Sequence, residues 1–274
     1  MIYSGRNSLS WEIKTTNKSY FLKKYISKPN DRRDRFEAEQ NFLNLLLSNN
    51  FNNVPKIICF SKEENWSIFS WLKGSPIKSP LKEDWEILLN FLAKIQTIKQ
   101  DPINSKINNA SESFFNFVEH KEFIEKKLKN FKNILNKNNY SYQSNWVEKN
   151  LIKKINSYDI KRFQLIQKRL QTDKRRILSP SDIGFHNCLK FKNQIYFFDF
   201  EYAGWDDPYK QYTDLVIQPE NVLNYEQAIK LLERFAIILN KKIHLNILFE
   251  YIFLYRLKWT MIILNQLLNK NISE

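Results

Sequence analysis

Three polar side chains stand in an order that could do chemistry: Asp182, Asn187 and Asp199. Asp182 and Asn187 are five positions apart, and Asp199 lies 17 positions beyond Asp182. Asp199 directly follows the apolar run Ile195-Tyr196-Phe197-Phe198. It therefore sits at a strand edge, where a charge is costly unless it is paired or used. Phosphoryl transfer needs a carboxylate to take a hydroxyl proton, and oxygen ligands for a magnesium ion. An acid, an amide and a second acid supply that set. Asp or Asn alone fits an ordinary turn; the ordered set carries the argument.

Holding these groups in place calls for a rigid scaffold. Cys188–Phe191 and Ile195–Phe198 are short apolar runs that predict a hairpin across residues 192–194. Ile177-Leu178 leads into the loop carrying Asp182, and a polar loop follows Asp199. Upstream, residues 2–25 read as strands, and a helix is expected from about Arg33 to Ser48. Val54–Phe60 and Trp66–Leu72 read as two more strands. Strand alternation puts Phe21, Lys23 and Tyr25 on one face and Lys24 on the other. Glu37 and Glu39 project about 200° apart on the helix, so only one of them can face the sheet. Beyond the Gly74–Pro80 cluster, helical spacing covers 82–99, 113–135, 145–172, 225–239 and 245–268, with a loop over 136–144. The order predicts an α+β fold of two lobes. Residues 1–74 form a small antiparallel sheet with one helix, and residues 75–274 form a larger, mainly helical lobe.

Asp182-Ile-Gly-Phe-His-Asn187 and Asp199-Phe-Glu fit the D-x-x-x-x-N and second-acid pattern of kinases. Together with Asp199-Phe200-Glu201-Tyr202-Ala203-Gly204, Asp206-Asp207-Pro208 and Asp214-Leu215, they make a sequence that resembles the aminoglycoside phosphotransferase and choline kinase family of small-molecule kinases, over about residues 4 to 215. The resemblance implies a protein-kinase-like fold, ATP as phosphoryl donor, Mg²⁺, and a hydroxyl of a small molecule as acceptor. It implies Asp182 as catalytic base and Asn187 and Asp199 as metal ligands. Lys23, steered by Glu39, would hold the phosphates, with Gly5, Asn7 and Ser8 in the loop beside them. Ser70 to Leu72 would be the hinge that takes the adenine. Glu201, Trp205 and Asp207 are candidates close to the metal or the acceptor, with Asp206 and Asp207 expected rather to cap the next segment and Trp205 on its own to be a core aromatic. Asp214 would brace the catalytic loop.

Pro180 departs from the family's usual His two residues before the base. His186 is expected to pack the loop rather than act as a base. The absence of an Ala-Pro-Glu segment after Asp199 separates the chain from protein kinases. The alternative reading, motivated by Pro180 and the sparse nucleotide loop, is a pseudokinase-type binding module that keeps the fold without transfer. For the acceptor, the Asp-Phe-Glu-Tyr-Ala-Gly run leans toward choline or ethanolamine kinases. A quaternary ammonium needs an aromatic cage, for which Trp205, Tyr209, Tyr212 and Trp259 are candidates. An aminoglycoside wants an acidic face, and a sugar fits equally well.

Composition bounds the rest. A chain of 274 residues with 43% hydrophobic content can build a sizeable core. The formal net charge of +14 comes from lysines scattered among Asn and Ile, without an Arg-rich arm. That argues against nucleic acid as the main partner while still favouring anions such as ATP. Only four glycines occur, Gly5, Gly74, Gly184 and Gly204, and each is expected where the backbone is tight. Cys59 and Cys188 read as reduced core residues of a cytoplasmic protein, and no signal peptide is evident. Glu250, Arg256 and Lys258 interrupt the most apolar segment, which argues against a membrane span.

Overall fold

The computed structural model describes residues 2–4, 7–27, 31, 33–99, 106–170 and 176–270. The first lobe is built from β1 (Ile2–Ser4), β2 (Ser8–Lys14), β3 (Ser19–Tyr25), α1 (Arg35–Ser48), β4 (Ile57–Ser61) and β5 (Trp66–Ser70). The five strands form one antiparallel sheet in the order β1-β2-β3-β5-β4. Lys23 lies on the central strand, opposite Ser10 on one side and Ser67 on the other. Asp34 starts α1 by accepting a hydrogen bond from the Glu37 N–H at 2.8 Å. Phe36, Leu43 and Leu46 recur at helical spacing and are buried.

Cys59 corrects one expectation: it is exposed, while Cys188 is buried. Strand β4 is an edge of the sheet, and its Ile58 and Phe60 are exposed as well. An apolar run at a sheet edge need not be covered.

Gly74 follows β5 with a φ of +142°, which suits glycine. A Cβ there would also stand 2.9 Å from the Lys190 carbonyl oxygen. The next two residues form β6 (Ser75–Pro76). The second lobe then continues with α2 (Lys82–Gln96), α3 (Phe117–Lys137), α4 (Ser141–Val147), α5 (Lys153–Asn156), α6 (Ile160–Leu170) and β7 (Ile177–Ser179). The hairpin of β8 (Cys188–Phe191) and β9 (Gln194–Phe197) follows, then β10 (Gly204–Asp206), α7 (Pro208–Ile217), α8 (Tyr225–Leu239) and α9 (Leu245–Lys270). Strand β6 pairs with β8, and β10 pairs antiparallel with β7.

The helix expected over 145–172 starts earlier and is broken. It passes through a wider turn at Glu148–Ile152 and stops before residues 157–159. Asp159 restarts the helix by accepting from the Lys161 N–H at 3.0 Å. Residues 171–172 of that expectation lie outside the described residues. Helix α7 stands where a polar loop was expected. Asp207 caps it, accepting from the Tyr209 N–H at 2.7 Å, and Pro208 occupies its first turn. Strands β6 and β10, which the sequence did not announce, are below the length at which periodicity speaks.

One apolar core runs through both lobes. Phe91 of α2 stacks on Phe197 of β9 at 3.8 Å between ring centroids, and Phe42 of α1 meets Phe200 at 5.6 Å. No described helix is long and apolar enough to cross a membrane.

Candidate active site

Lys23 is 4% exposed, so its ammonium must find partners within the protein. It donates to Glu39 Oε2 at 2.7 Å and to Asp199 Oδ1 at 2.7 Å. Glu201 Oε2 stands 3.1 Å away. Burial opposes the charge on Lys23, but Asp199 and Glu39 outweigh it and raise its pKa well above the ordinary lysine value. Burial pushes the Glu39 carboxyl upward, against the pull of Lys23. The Tyr25 hydroxyl donates to Glu39 Oε2 at 2.7 Å. The structure thus separates the competing candidates: Lys24 is exposed, and Glu37 is half-buried beside Lys62 rather than Lys23.

Asp199 is the member of this group that opens to the cavity, with its side chain 37% exposed. Its backbone is held in the left-handed region at φ +66°. Such a conformation costs on the order of 1–3 kcal/mol and persists only where the surroundings impose it. Two contacts of the next residue impose it here. The Phe200 N–H donates to Glu39 Oε1 at 3.0 Å, and the Phe200 ring is buried against Phe42 and Phe91. Burying such a ring contributes roughly 1.5–3 kcal/mol.

Asp182 lies on the loop between β7 and β8. Gln218, at the end of α7, donates to Asp182 Oδ1 at 2.9 Å, and His186 Nε2 is 3.4 Å from the same oxygen. Asn187 donates from its amide to the Asp182 carbonyl at 3.2 Å, which leaves its Oδ1 as the atom able to ligate a metal. Burial alone would raise the Asp182 pKa. Hydrogen bonding and charge from His186, with Asn187, more than reverse that, so the carboxylate is ionised at neutral pH. The loop is braced without a His at position 180. Ser181 N donates to Ser179 Oγ at 3.0 Å, Asp182 N donates to the Pro180 carbonyl at 2.8 Å, and Lys210 Nζ donates to Ser181 Oγ at 3.0 Å. Lys210 is itself held between Asp206 at 2.8 Å and Asp214 at 3.0 Å. Asp214 therefore reaches the loop through Lys210.

A cavity of about 390 Å³ joins these groups, lined among others by Ser8, Asp182, Asp199, Glu201, Gln218 and Lys258. Asn7 is at its wall, donating to Glu201 Oε1 at 3.3 Å and to the Tyr202 hydroxyl. Gly5 lies outside the described residues. Ser70 spends its N–H on the Lys56 carbonyl at 2.8 Å and takes the Lys56 N–H on its hydroxyl at 2.9 Å. Leu72 is half-buried in the extended stretch after β5. Trp205 and Asp207 are elsewhere. Trp205 is buried in β10 opposite Leu178, and Asp207 caps α7 while accepting from the Tyr251 hydroxyl at 2.7 Å. Tyr209 and Tyr212 are core residues, so of the four expected cage aromatics only Trp259 lines the cavity.

The far wall comes from a loop that the sequence did not single out. Gly204 lets residues 108–110 cross β10 closely: a Cβ there would stand 2.6 Å from Ala110 N. Ala110 N donates to the Trp205 carbonyl at 2.8 Å, and Ser111 N to the Tyr202 carbonyl at 2.9 Å. This holds Ser111 and Glu112 at the cavity, where Lys258 of α9 donates to Glu112 Oε2 at 3.0 Å and Lys127 of α3 to Oε1. Glu112 and Gln218 gave no sequence signal, and Lys258 only that of a charge in the most apolar segment, because their partners are remote in the chain.

One carboxylate oxygen from each of Glu39, Asp199 and Glu201 lies within 4.8 Å of the others. Three carboxylates around one ammonium, with Arg35 3.7 Å from Glu201, leave an excess of oxygen donors and negative charge that suits a hard divalent cation.

A model of the phosphotransferase enzyme family (APH) matches residues 2–217. The chain belongs to that family. As a member it is a phosphotransferase enzyme. Comparison with curated proteins finds no match. Among solved structures, the chain resembles a spectinomycin phosphotransferase, APH(9)-Ia, in complex with ADP and spectinomycin. The TM-score is 0.61 at 15% identity, covering 95% of this chain and 79% of that one. It also resembles the choline kinase LicA from Streptococcus pneumoniae, with TM-score 0.55, 16% identity, and 94% and 83% coverage. A Plasmodium vivax ethanolamine kinase matches with TM-score 0.61, 15% identity, and 95% and 73% coverage. These likenesses establish the two-lobed kinase-like fold of the phosphotransferase.

Proposed function

We propose that this phosphotransferase is an ATP- and magnesium-dependent kinase that moves the γ-phosphoryl group to a hydroxyl of a small molecule. The observation that carries the reading is the convergence of two sets on one cavity. Asp199, which Lys23 and through it Glu39 hold with both lysine contacts at 2.7 Å, lines the same cavity as the ionised Asp182. The nucleotide would lie between a lobe over 1–74 and a lobe over 75–274. Lys23 holds phosphate oxygens, and Glu39 keeps it aimed from α1. Asp199 and Asn187 would supply oxygen ligands to magnesium, and Glu201, 3.1 Å from Lys23, would be a further nearby carboxylate. Bound magnesium supplies charge neutralisation on the phosphates. Asp182 accepts the hydrogen bond of the acceptor hydroxyl and orients it for in-line attack. As the acceptor O–P bond forms and the bond to the leaving ADP oxygen breaks, the hydroxyl proton passes to Asp182. The transition state is loose, so positioning and electrostatics carry most of the rate.

Transfer from γ-labelled ATP with magnesium to pooled small-molecule alcohols tests this, with Asp182→Asn beside the wild type. A labelled product that disappears in Asp182→Asn supports it. Absence of both transfer and slow ATP hydrolysis would sink it and favour a binding module without transfer. The cytoplasm, where ATP is made and used, is the compartment this reading calls for.

A further inference from the structure

The wall of the cavity opposite the nucleotide cluster carries its charge in the reverse ratio. Glu112 there is gripped by two ammonium groups, Lys258 at 3.0 Å and Lys127 on its other oxygen. One carboxylate and two ammoniums leave a net positive cluster, and Lys258 is buried, at 8% exposure. The other acids that a cationic ligand would seek are also engaged. Asp214 is held by Lys210 at 3.0 Å, Glu201 and Asp199 by Lys23, and Asp182 by Gln218 and His186. Among the described residues no aromatic cage surrounds the space either. Tyr202 and Trp259 are the aromatic rings lining the cavity, and the Tyr202 ring already has Arg33 at 5.3 Å and Arg35 at 5.8 Å. A single remaining ring does not enclose a quaternary ammonium. Donors are plentiful instead: Lys258, Lys210, Arg33, Ser111 and Gln218 all line the space.

Resting on the kinase reading above, we propose that the acceptor is a hydroxylated small molecule whose other groups are hydrogen-bond-accepting oxygens, such as a hydroxy acid or a polyol. Lys258 is the specificity-determining residue that binds those oxygens and rejects cationic amino alcohols and aminoglycosides. A cation entering on this side meets the Lys258–Lys127 pair sharing one carboxylate. Of the acids lining the space, Asp182 is the one without a lysine or arginine partner among the described residues, and it is engaged by Gln218 and His186 and reserved for the acceptor hydroxyl. A carboxylate or a run of hydroxyls, by contrast, meets donors. Rejection by an opposing charge is as much a source of specificity as a favourable contact.

The test compares three acceptor pools with γ-labelled ATP and magnesium: hydroxy acids with sugar acids, neutral polyols with sugars, and choline with ethanolamine and aminoglycosides. Thermal melting with ADP and magnesium, with and without each pool, is recorded in parallel. The expected result is that one of the two oxygen-rich pools is preferred over the cationic pool by roughly tenfold or more in kcat/KM. Lys258→Met raises the acceptor KM by roughly tenfold and narrows that preference, while Lys258→Arg retains both. Melting temperatures of the variants separate misfolding from lost recognition. Preferred turnover of the cationic pool, or an unchanged acceptor KM in folded Lys258→Met, overturns the proposal. If no pool is phosphorylated, stabilisation of the ADP complex by an oxygen-rich pool alone upholds it, and no such stabilisation overturns it. Failure of the kinase reading looks different: neither stabilisation by ADP with magnesium nor phosphate release dependent on Asp182.

Discussion

The two walls of the cavity use the same ingredients in opposite proportion. At the Lys23 wall, three carboxylates surround one lysine; at the Lys258 wall, two lysines share one carboxylate. Both clusters are largely buried, so both would be costly if the charges were not paired. The surplus at each wall is what remains to recruit a ligand. Surplus carboxylate oxygen draws a divalent cation, and surplus ammonium draws oxygen anions or hydroxyls. The difference teaches that a buried ion cluster is to be read by its remainder rather than by the number of its pairs.

The comparison breaks most visibly at Asp182, the proposed base, which lines the same cavity. Asp182→Asn is expected to lower kcat by about 10²–10⁴-fold with little change in melting temperature, measured by steady-state transfer. At the Lys23 wall, Lys23→Met leaves Glu39 and Asp199 without their ammonium and Glu201 with Arg35 alone. Its cost in urea unfolding is expected at roughly 3–5 kcal/mol, together with a raised KM for ATP. An unchanged unfolding midpoint would mean that the carboxylates are satisfied without the lysine.

Gly204→Ala forces the backbone of residues 108–110 away from β10. It is expected to cost about 1–3 kcal/mol, and to raise the acceptor KM more than the ATP KM because it carries Glu112 with it. Equal effects on both constants would show that the two walls are not separable.

The Glu112 cluster also sets a pH dependence. Burial alone would raise the Glu112 carboxyl, but Lys258 and Lys127 hold it far below the ordinary carboxylate value. A depressed folded pKa contributes stability that is fully present above the unfolded value, about 4.3. That contribution is lost as pH falls toward the folded value. The stability difference between wild type and Glu112→Gln should therefore be constant near neutral pH and shrink as the solution is acidified. The smallest expected effect is at Gln218, which touches one oxygen of Asp182. Gln218→Ala should lower kcat by a few fold, in line with the roughly 1 kcal/mol of one hydrogen bond, while the KM for ATP holds.

Much of the nucleotide wall was legible in the sequence because its information is local. Asp182, Asn187 and Asp199 are tied to one hairpin, and a strand followed by a capped helix brings Lys23 and Glu39 together. Alternation and helical rotation narrowed the candidates to Lys23 or Lys24 and Glu39 or Glu37. The fold decided by burying Lys23 and Glu39 and exposing Lys24. The family pattern likewise placed Trp205 and Asp207 near the acceptor. The competing expectations, a cap at Asp207 and a core place for Trp205, are the ones the fold takes: β10 turns Trp205 into the core and Asp207 caps α7.

What the sequence determined by itself was the order of elements, the acid–amide–acid spacing and the strand–helix pairing. Each of these repeats over a few residues and follows from backbone geometry. What only the tertiary structure decided was the other wall. Lys258 meets Glu112 from 146 positions away, and Gln218 meets Asp182 from 36. Such contacts leave no periodic trace, because they arise where separately formed elements pack, and nothing in the local chain encodes which charge will be waiting there.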